Sequence, residues 1–466
     1  MSTAAIPGGT TTVRDSARDR RNGFVASYLG WLFDGFETFA TVLVAAAIVN
    51  DLVGPGTALK TPLYIGGILA TTLVAWAVGG LLSGVLADRF GRRRVLMVSI
   101  LWYAAFAGLT ALAPSYVLLL VLRFLTGLGM GAEWGAGSSL VAETSDRRRR
   151  GLRIALLQSG FGVGFLIATG VWQVINDGNP GDWRWMYVIG IVPALLTVFI
   201  RAKVADTEMW KDADRVRRDT ESRIDAGEQV ADAERTLTRS TVRQVLENPA
   251  HRRQVGVLLV GAFATTLGWW AVSTWIPQFA GQKLAGQTTD VAGAVTLVVL
   301  AYNAAGVLGY LTMGVLADRF GRKPVIFGYF VASVALTPVL FLVPDTKGSL
   351  IVFAFINGFF TLGQWTWLAL YPSEVFPTQV RATGMTMVFN TARFAAAAGA
   401  LLVSALISAF GSISTAAIVI GCVAYGVGAL VAPFIGPETN GRPLPGVPTT
   451  DAAAAPAEPA REAVAV

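Results

Sequence analysis

Asp34 and Glu37 stand three residues apart inside the first long apolar run, in the stretch Asp34-Gly35-Phe36-Glu37. That spacing puts both carboxyl groups on one face of a helix. A carboxyl at bilayer depth is costly and usually faces a cavity or a partner. Two side by side can exchange a proton near neutral pH. Glu37, the deeper, is the better carrier; Asp34 could instead lie close enough to an interface to be solvated. Arg123 opens the fourth run and needs an anion there, unless its long side chain snorkels to the outer surface. Arg393 lies well inside the eleventh run, one turn after Asn390. Its planar guanidinium matches a carboxylate in two parallel hydrogen bonds. No acid in its own run neutralises it, which leaves Glu133 of the fourth run or a bound anion.

Trp134, Trp269, Trp270 and Trp365 sit away from the ends of their runs. Flat aromatic walls suit a planar organic acid, although any single Trp more often packs helices or joins an interfacial belt. Gln158, Asn303 and Gln364 add amides to the residues expected to contact a substrate. His251 and Cys422 are single residues without partners in sequence. No metal cluster, nucleophile–base arrangement or phosphate loop stands out, so metal, cofactor, ATP hydrolysis and catalysis are not expected. Protons are the expected coupling ion.

The elements that hold these residues follow from composition. The chain of 466 residues is 53% hydrophobic and only 14% charged, against about 25% charged in soluble domains. Twelve apolar runs are long enough to cross a bilayer as helices: 24–50, 62–87, 95–113, 115–142, 152–175, 184–202, 254–280, 290–317, 324–343, 349–371, 382–409 and 413–435. The net charge of +7 is scattered through short turns, which excludes a nucleic-acid patch. The N-terminus lacks the apolar core and cleavage site of a signal peptide. The expected organisation is a cytoplasmic N-terminal tail (1–23), a six-helix bundle (24–202), a charged cytoplasmic loop (203–253), a second six-helix bundle (254–435) and a disordered cytoplasmic tail (436–466). Basic residues concentrate after the second, fourth, sixth and eighth runs, which puts both termini in the cytoplasm by the positive-inside rule. The chain is expected to be a monomer in the plasma (cell inner) membrane.

The ten residues Gly84-Val85-Leu86-Ala87-Asp88-Arg89-Phe90-Gly91-Arg92-Arg93 return at Gly314 to Lys323 with one change, Arg93 against Lys323. Glu143 and Glu374, each ending a run before a basic turn, repeat that separation to within one residue. A charged turn recurring at half the length means two similar halves. Gly127, Gly131 and Gly135 form a small-residue face on the fourth run, which lets helices approach closely.

The doubled Gly-x-x-x-Asp-Arg-x-Gly-Arg-Arg/Lys turn resembles the signature loop of the major facilitator superfamily, over nearly the whole of spans 1 to 12. Asp34-Gly35-Phe36-Glu37 resembles the Asp-Gly-Phe-Asp motif of its aromatic acid/proton symporters, with Glu37 in place of the second Asp. Gly131-Ala132-Glu133-Trp134-Gly135, Arg123 and Arg393 resemble the sialate, monocarboxylate and metabolite proton symporters. The resemblance implies an all-α membrane protein of two pseudo-symmetric six-helix bundles that takes up a small organic anion with protons by alternating access. It implies that Arg123 pairs with Glu37 or Asp34. It also implies that Gly84, Asp88, Arg89, Gly91, Arg92, Glu143, Gly314, Asp318, Arg319, Gly321, Arg322, Glu374 and Arg381 latch one conformation. Asp88 and Asp318 would cap neighbouring helix ends, and Gly91 and Gly321 would supply the tight turn. The alternatives are a sugar or polyol porter and an exporter of drugs or metabolites. Pro437-Glu438-Thr439-Asn440-Gly441 resembles the turn after the last span of sugar porters, but Gly268 to Trp275 lacks the amides that those porters carry in span 7.

Overall fold

The computed structural model describes residues 16–54 and 61–446, and these are helical almost throughout. The first half comprises α1 (Ala17–Leu52), α2 (Thr61–Phe90), α3 (Arg92–Thr110), α4 (Tyr116–Thr144), α5 (Arg150–Ile175), α6 (Trp183–Ile189) and α7 (Pro193–Lys203). Three polar helices follow, α8 (Glu208–Asp225), α9 (Asp232–Leu237) and α10 (Thr241–Glu247). The second half comprises α11 (Pro249–Ser273), α12 (Ile276–Leu284), α13 (Val291–Phe320), α14 (Arg322–Leu342), α15 (Lys347–Gly363), α16 (Trp365–Val375), α17 (Arg381–Phe410) and α18 (Ile413–Val431). Among the described residues nine helices are long and apolar enough to span a bilayer, with α11–α12 and α15–α16 each counted as one. The crossings α3, which opens on three arginines, α6–α7, broken around Gly190, and α17 complete twelve.

Glycine sets how closely these helices approach. A Cβ on Gly131 would lie 2.1 Å from the Trp76 carbonyl oxygen of α2, and one on Gly79 would lie 2.0 Å from the Leu128 carbonyl of α4. The same contact recurs in the second half, where a Cβ on Gly309 of α13 would lie 1.9 Å from the Phe359 carbonyl of α15. In lipid the association of helices depends on such close packing, because the bilayer removes the hydrophobic drive between them. Gly131→Val is therefore expected to cost about 1–3 kcal/mol by overpacking. Thermal unfolding of the purified protein would read this, with Gly256→Ala, where no atom lies within 4 Å, as the neutral control.

Three boundaries differ from the reading by hydropathy. α1 begins at Ala17, not 24, because Ser16 caps it by accepting the Asp19 N–H at 3.1 Å, and arginine continues a helix without needing lipid. The charged segment between the halves folds into α8–α10. The last segment is ordered at its start: residues 436–446 pack against the charged turns, whereas 447–466 lie outside the described residues, as do 1–15. The polar groups of Glu438, Thr439 and Asn440, described below, explain why this stretch is not free.

Candidate substrate cavity, acid–arginine pairs and latches

A narrow cavity of about 70 Å³ lies between the two halves. Its walls are mostly rings: Trp31, Trp76 and Phe161 from the first half, and Trp269, Trp365 and Phe389 from the second. Trp269 meets Trp365 edge-on at 5.4 Å, and Trp31 lies 4.8 Å from Phe161. Arg393 is the cation of this chamber. Its guanidinium lies 3.8 Å above the Trp76 ring and 4.6 Å from Phe389, and its Nε donates to Asn390 Oδ1 at 3.2 Å. Among the described residues no carboxylate stands within 4.0 Å of it, so the expected pairing with Glu133 across the cavity is not formed.

Trp270, Gln158 and Asn303 also line the chamber. Both ends of the Gln158 amide are engaged, accepting from Trp134 Nε1 and donating to the Trp365 carbonyl, each at 3.3 Å. Asn303 donates to the Val299 carbonyl. Four expected contacts fall elsewhere. Trp134 is buried behind the wall, stacked on Phe389 at 3.7 Å. Gln364 is fully buried among the second-half helices, bonded to Thr265 and Ser333. Asn390 packs on Gly80 and positions Arg393 from behind. Glu133 is buried against α1, where a Cβ on Gly30 would lie 1.6 Å from its Oε1. Trp31, Trp76, Phe161 and Phe389 are lining residues that the sequence reading missed.

The two acids of α1 part company. Glu37 Oε1 accepts from Arg123 Nη1 at 2.5 Å. Thr41, Thr110 and Thr126 accept from the remaining Nη hydrogens of Arg123 at 2.7 to 3.2 Å, its Nε has no hydrogen-bond partner among the described residues, and the Tyr187 ring lies 4.3 Å from the guanidinium. Arg123 is fully buried and does not snorkel. Asp34, one turn away, is also fully buried, yet neither of its oxygens has a hydrogen-bond partner, and the same holds for Glu133. The charged neighbours of Asp34 are Glu133, Arg393 and Glu37.

The charged turns lie on one face and join the halves there. Gly91 and Gly321 each adopt φ of 98°, a left-handed conformation that glycine takes without steric cost. Asp88 accepts the N–H groups of Ala382 and Thr383, at 3.2 and 2.8 Å, capping α17 of the other half. Arg92 bridges Asp88 and Glu143 at 3.1 and 3.0 Å, and Arg381 reaches Glu143 at 2.8 Å. Every part has a counterpart. Asp318 accepts the N–H groups of Gly151 and Leu152 at 2.9 Å, capping α5. Arg322 bridges Asp318 and Glu374 at 2.9 and 2.8 Å, and Arg150 reaches Glu374 at 2.9 Å. Gly84 abuts Thr386, and Gly314 abuts Gly151 and Ala155. Arg89 and Arg319 point outward, away from both clusters.

A further echo escaped the sequence reading. Thr207 donates to Glu143 at 2.5 Å and Thr439 to Glu374 at 2.6 Å, while Asp206 accepts the Arg93 N–H and Glu438 those of Arg322 and Lys323. Asp206-Thr207 and Glu438-Thr439 are separated by 232 positions, close to the offset of the turns. Burial draws the Glu438 carboxyl upward, but backbone N–H donors from Arg322, Asn440, Lys323 and Thr439 more than offset this and hold it below the usual carboxylate range. Its contribution is therefore complete at neutral pH and is lost as acidification passes the ordinary range and reaches its depressed value.

Twelve crossing helices in two related halves around a central chamber, tied on one face by paired charged turns, define a membrane transporter of the major facilitator class. The family described as sugar (and other) transporter matches residues 23–450, and the chain belongs to that family. It is 31% identical to a Cupriavidus pinatubonensis protein described as "Probable 4-methylmuconolactone transporter", over 93% of this chain and 94% of that one. It is 28% identical to the niacin transporter NiaP of Acinetobacter baylyi, over 89% and 93% of the two chains. The solved structure of the proton:xylose symporter XylE bound to 6-bromo-6-deoxy-D-glucose matches with a TM-score of 0.70 at 19% identity, covering 91% of this chain and 98% of that one. At that identity the likeness is one of fold. The chain is a multi-pass secondary transporter of metabolites and not an enzyme.

Proposed function

We propose that this transporter imports a small, flat organic monocarboxylate together with protons, across the cell inner membrane, with both termini and the charged turns in the cytoplasm. The observation that carries the reading is Arg393: a buried cation in an aromatic chamber, held by Asn390 and without a carboxylate at ion-pair distance among the described residues. A substrate carboxylate meets that need with two parallel hydrogen bonds while its planar body lies against Trp269 and Trp365. The relatives named for 4-methylmuconolactone and niacin act on small ring compounds, which agrees in size and shape. A polyol would require free amides, and those of Gln158 are already engaged.

Coupling rests on α1 and α4. Asp34, buried without a hydrogen-bond donor and with Arg393 as its cationic neighbour, is the second candidate carrier beside Glu37. Protonation of Glu37 would release Arg123 and bias the conformational equilibrium. Uptake into proteoliposomes tests the proposal. An inward proton gradient should drive accumulation of aromatic monocarboxylates, their esters should neither be taken up nor compete, and sugars should not compete. Accumulation of a sugar, or of the ester as readily as the acid, would reject it.

The paired turns would act as latches that keep the cytoplasmic side shut. Hydrogen bonds to a charged group contribute about 1.5–3 kcal/mol. Asp88→Asn or Asp318→Asn is therefore expected to raise the cytoplasm-open population by about tenfold or more. Spin labels at the exposed positions 89 and 319, one in each half, would report this as a longer distance. An unchanged distance distribution in both variants would mean that the turns do not hold this state.

A further inference from the structure

We propose that the cleft between α2 and α3 is a binding site for one anionic glycerophospholipid of the leaflet on the charged-turn side. The cleft lies on the outer face of the helices, shares no residue with the substrate chamber, and has a volume of about 470 Å³. Its walls are two rows of side chains at four-residue spacing: Leu82, Leu86 and Phe90 on α2, and Val98 and Trp102 on α3. Its floor is α4, where Gly129 and Ala132 are too small to fill it. Leu82 and Val98 are 58% and 62% exposed, so the slot is unfilled by protein along its length. The Trp102 indole N–H is already donated to the Leu125 carbonyl at 2.8 Å, leaving an apolar ring face for an acyl chain.

One end of this slot is charged. Phe90 and Arg94 belong both to the cleft and to an adjoining polar recess formed by α8, with Trp210, Lys211, Arg215 and Arg218. The acids of that recess are engaged: Asp206 accepts the Arg93 N–H, and Asp214 is paired with Arg217 and Arg218. Lys211, Arg215 and Arg218 are themselves paired along α8, with Glu208, Asp212 and Asp214, but the Arg215–Asp212 pair is largely exposed and screened, and Arg94 adds a cation to the recess. Arg94 is exposed and forms no ion pair with a described residue. An apolar slot ending in a cluster of cations at the membrane surface complements an acyl chain joined to a phosphate. A second copy of this chain fits less well, because two copies in one membrane would bring the same cationic recess together.

The test is native mass spectrometry of the intact purified transporter in mixed micelles of dioleoyl phosphatidylglycerol and dioleoyl phosphatidylcholine. The wild type should retain one phosphatidylglycerol in preference to phosphatidylcholine, and each cation contributes about fivefold to that preference. Arg94→Gln and Arg215→Gln should each reduce the preference by about that factor, and Ala132→Leu should reduce retention of both lipids by filling the floor. The wild-type comparison needs no variant to fold, and the variants are scored only where the unfolding temperature is retained. Equal retention of the two lipids would overturn the proposal, as would a preference unchanged by both charge variants. Displacement by inorganic phosphate alone would reassign the recess to a soluble anion. A dimer dispersed by Ala132→Leu without change in bound lipid would reassign the cleft to a second copy.

Discussion

Glu37→Gln is expected to abolish uphill, pH-driven accumulation while substrate exchange persists. The amide keeps the shape of the side chain but cannot carry the charge that faces Arg123 at 2.5 Å. The three threonine hydroxyls around Arg123 supply acceptors but no charge. Breaking a buried pair by removing one partner costs about 3–5 kcal/mol, so the conformational equilibrium loses its dependence on the proton and shifts as well. Asp34→Asn should act separably. Asp34 does not touch Arg123, and its neutralisation changes the field at Arg393 and Glu133 instead, so both coupling and the pH dependence of substrate affinity should move. Glu37 is among the charged neighbours of Asp34, and the double variant should not be a sum of the singles. Proteoliposome uptake with and without a pH gradient, beside counterflow exchange, separates the two. Undiminished proton-driven accumulation in both single variants and the double would remove α1 from the coupling mechanism.

Arg393→Lys is the second large effect, and it acts on the substrate. Arginine here is held flat between Trp76 and Phe389, with Nε fixed by Asn390. That arrangement leaves the outer edge of the guanidinium to present two parallel donors. Lysine preserves the charge and loses both the fork and the stacking. Affinity for a monocarboxylate should fall by about 2–5 kcal/mol, the range for truncating one partner of a buried charged pair, which is about 30-fold or more in Kd. Calorimetric titration of the purified protein measures it. An ester of the same acid should bind the wild type poorly and respond little to the substitution. Should the ester bind the wild type as well as the acid does, Arg393 would be a structural charge and the substrate need not be an anion.

The latch residues were legible in the sequence because their requirements are local. A glycine with positive φ, an acid one turn before it and an arginine after it form a compact string, and duplication printed the string twice. Asp206-Thr207 and Glu438-Thr439 perform related work but share only the threonine, so the repeat is too short to recognise without the contacts that define it. The chamber was less legible for a different reason. Helices surrounded by lipid and protein are apolar all round, so no amphipathic stripe tells which face of α1, α2 or α16 meets the cavity, or that α4 does not. Depth along the run could be read; direction around the axis could not. That is why Trp134 and Gln364, at suitable depth, turn into packing, while Trp31, Trp76 and Phe389 form the wall. The pairing of Arg123 could be read as far as two candidate acids, and only the azimuth of α1 against α4 separates Glu37 from Asp34.

Each latch takes its acids and a bridging arginine from one half and a second arginine and the capped helix from the other: Asp88 and Glu143 receive Arg381 and the start of α17, while Asp318 and Glu374 receive Arg150 and the start of α5. That reciprocity is the contact rule of an isologous dimer, in which residue i meets j and j meets i about a two-fold axis. Two identical copies of a single half, placed on such an axis, would close both contacts at once with no part left over. The closed face of this protein thus retains the design of a homodimer whose subunits were later joined end to end, with α8–α10 as the join. Fusion leaves the two halves free to differ around the single chamber, where Arg393 belongs to one half and the buried acids Asp34 and Glu133 to the other.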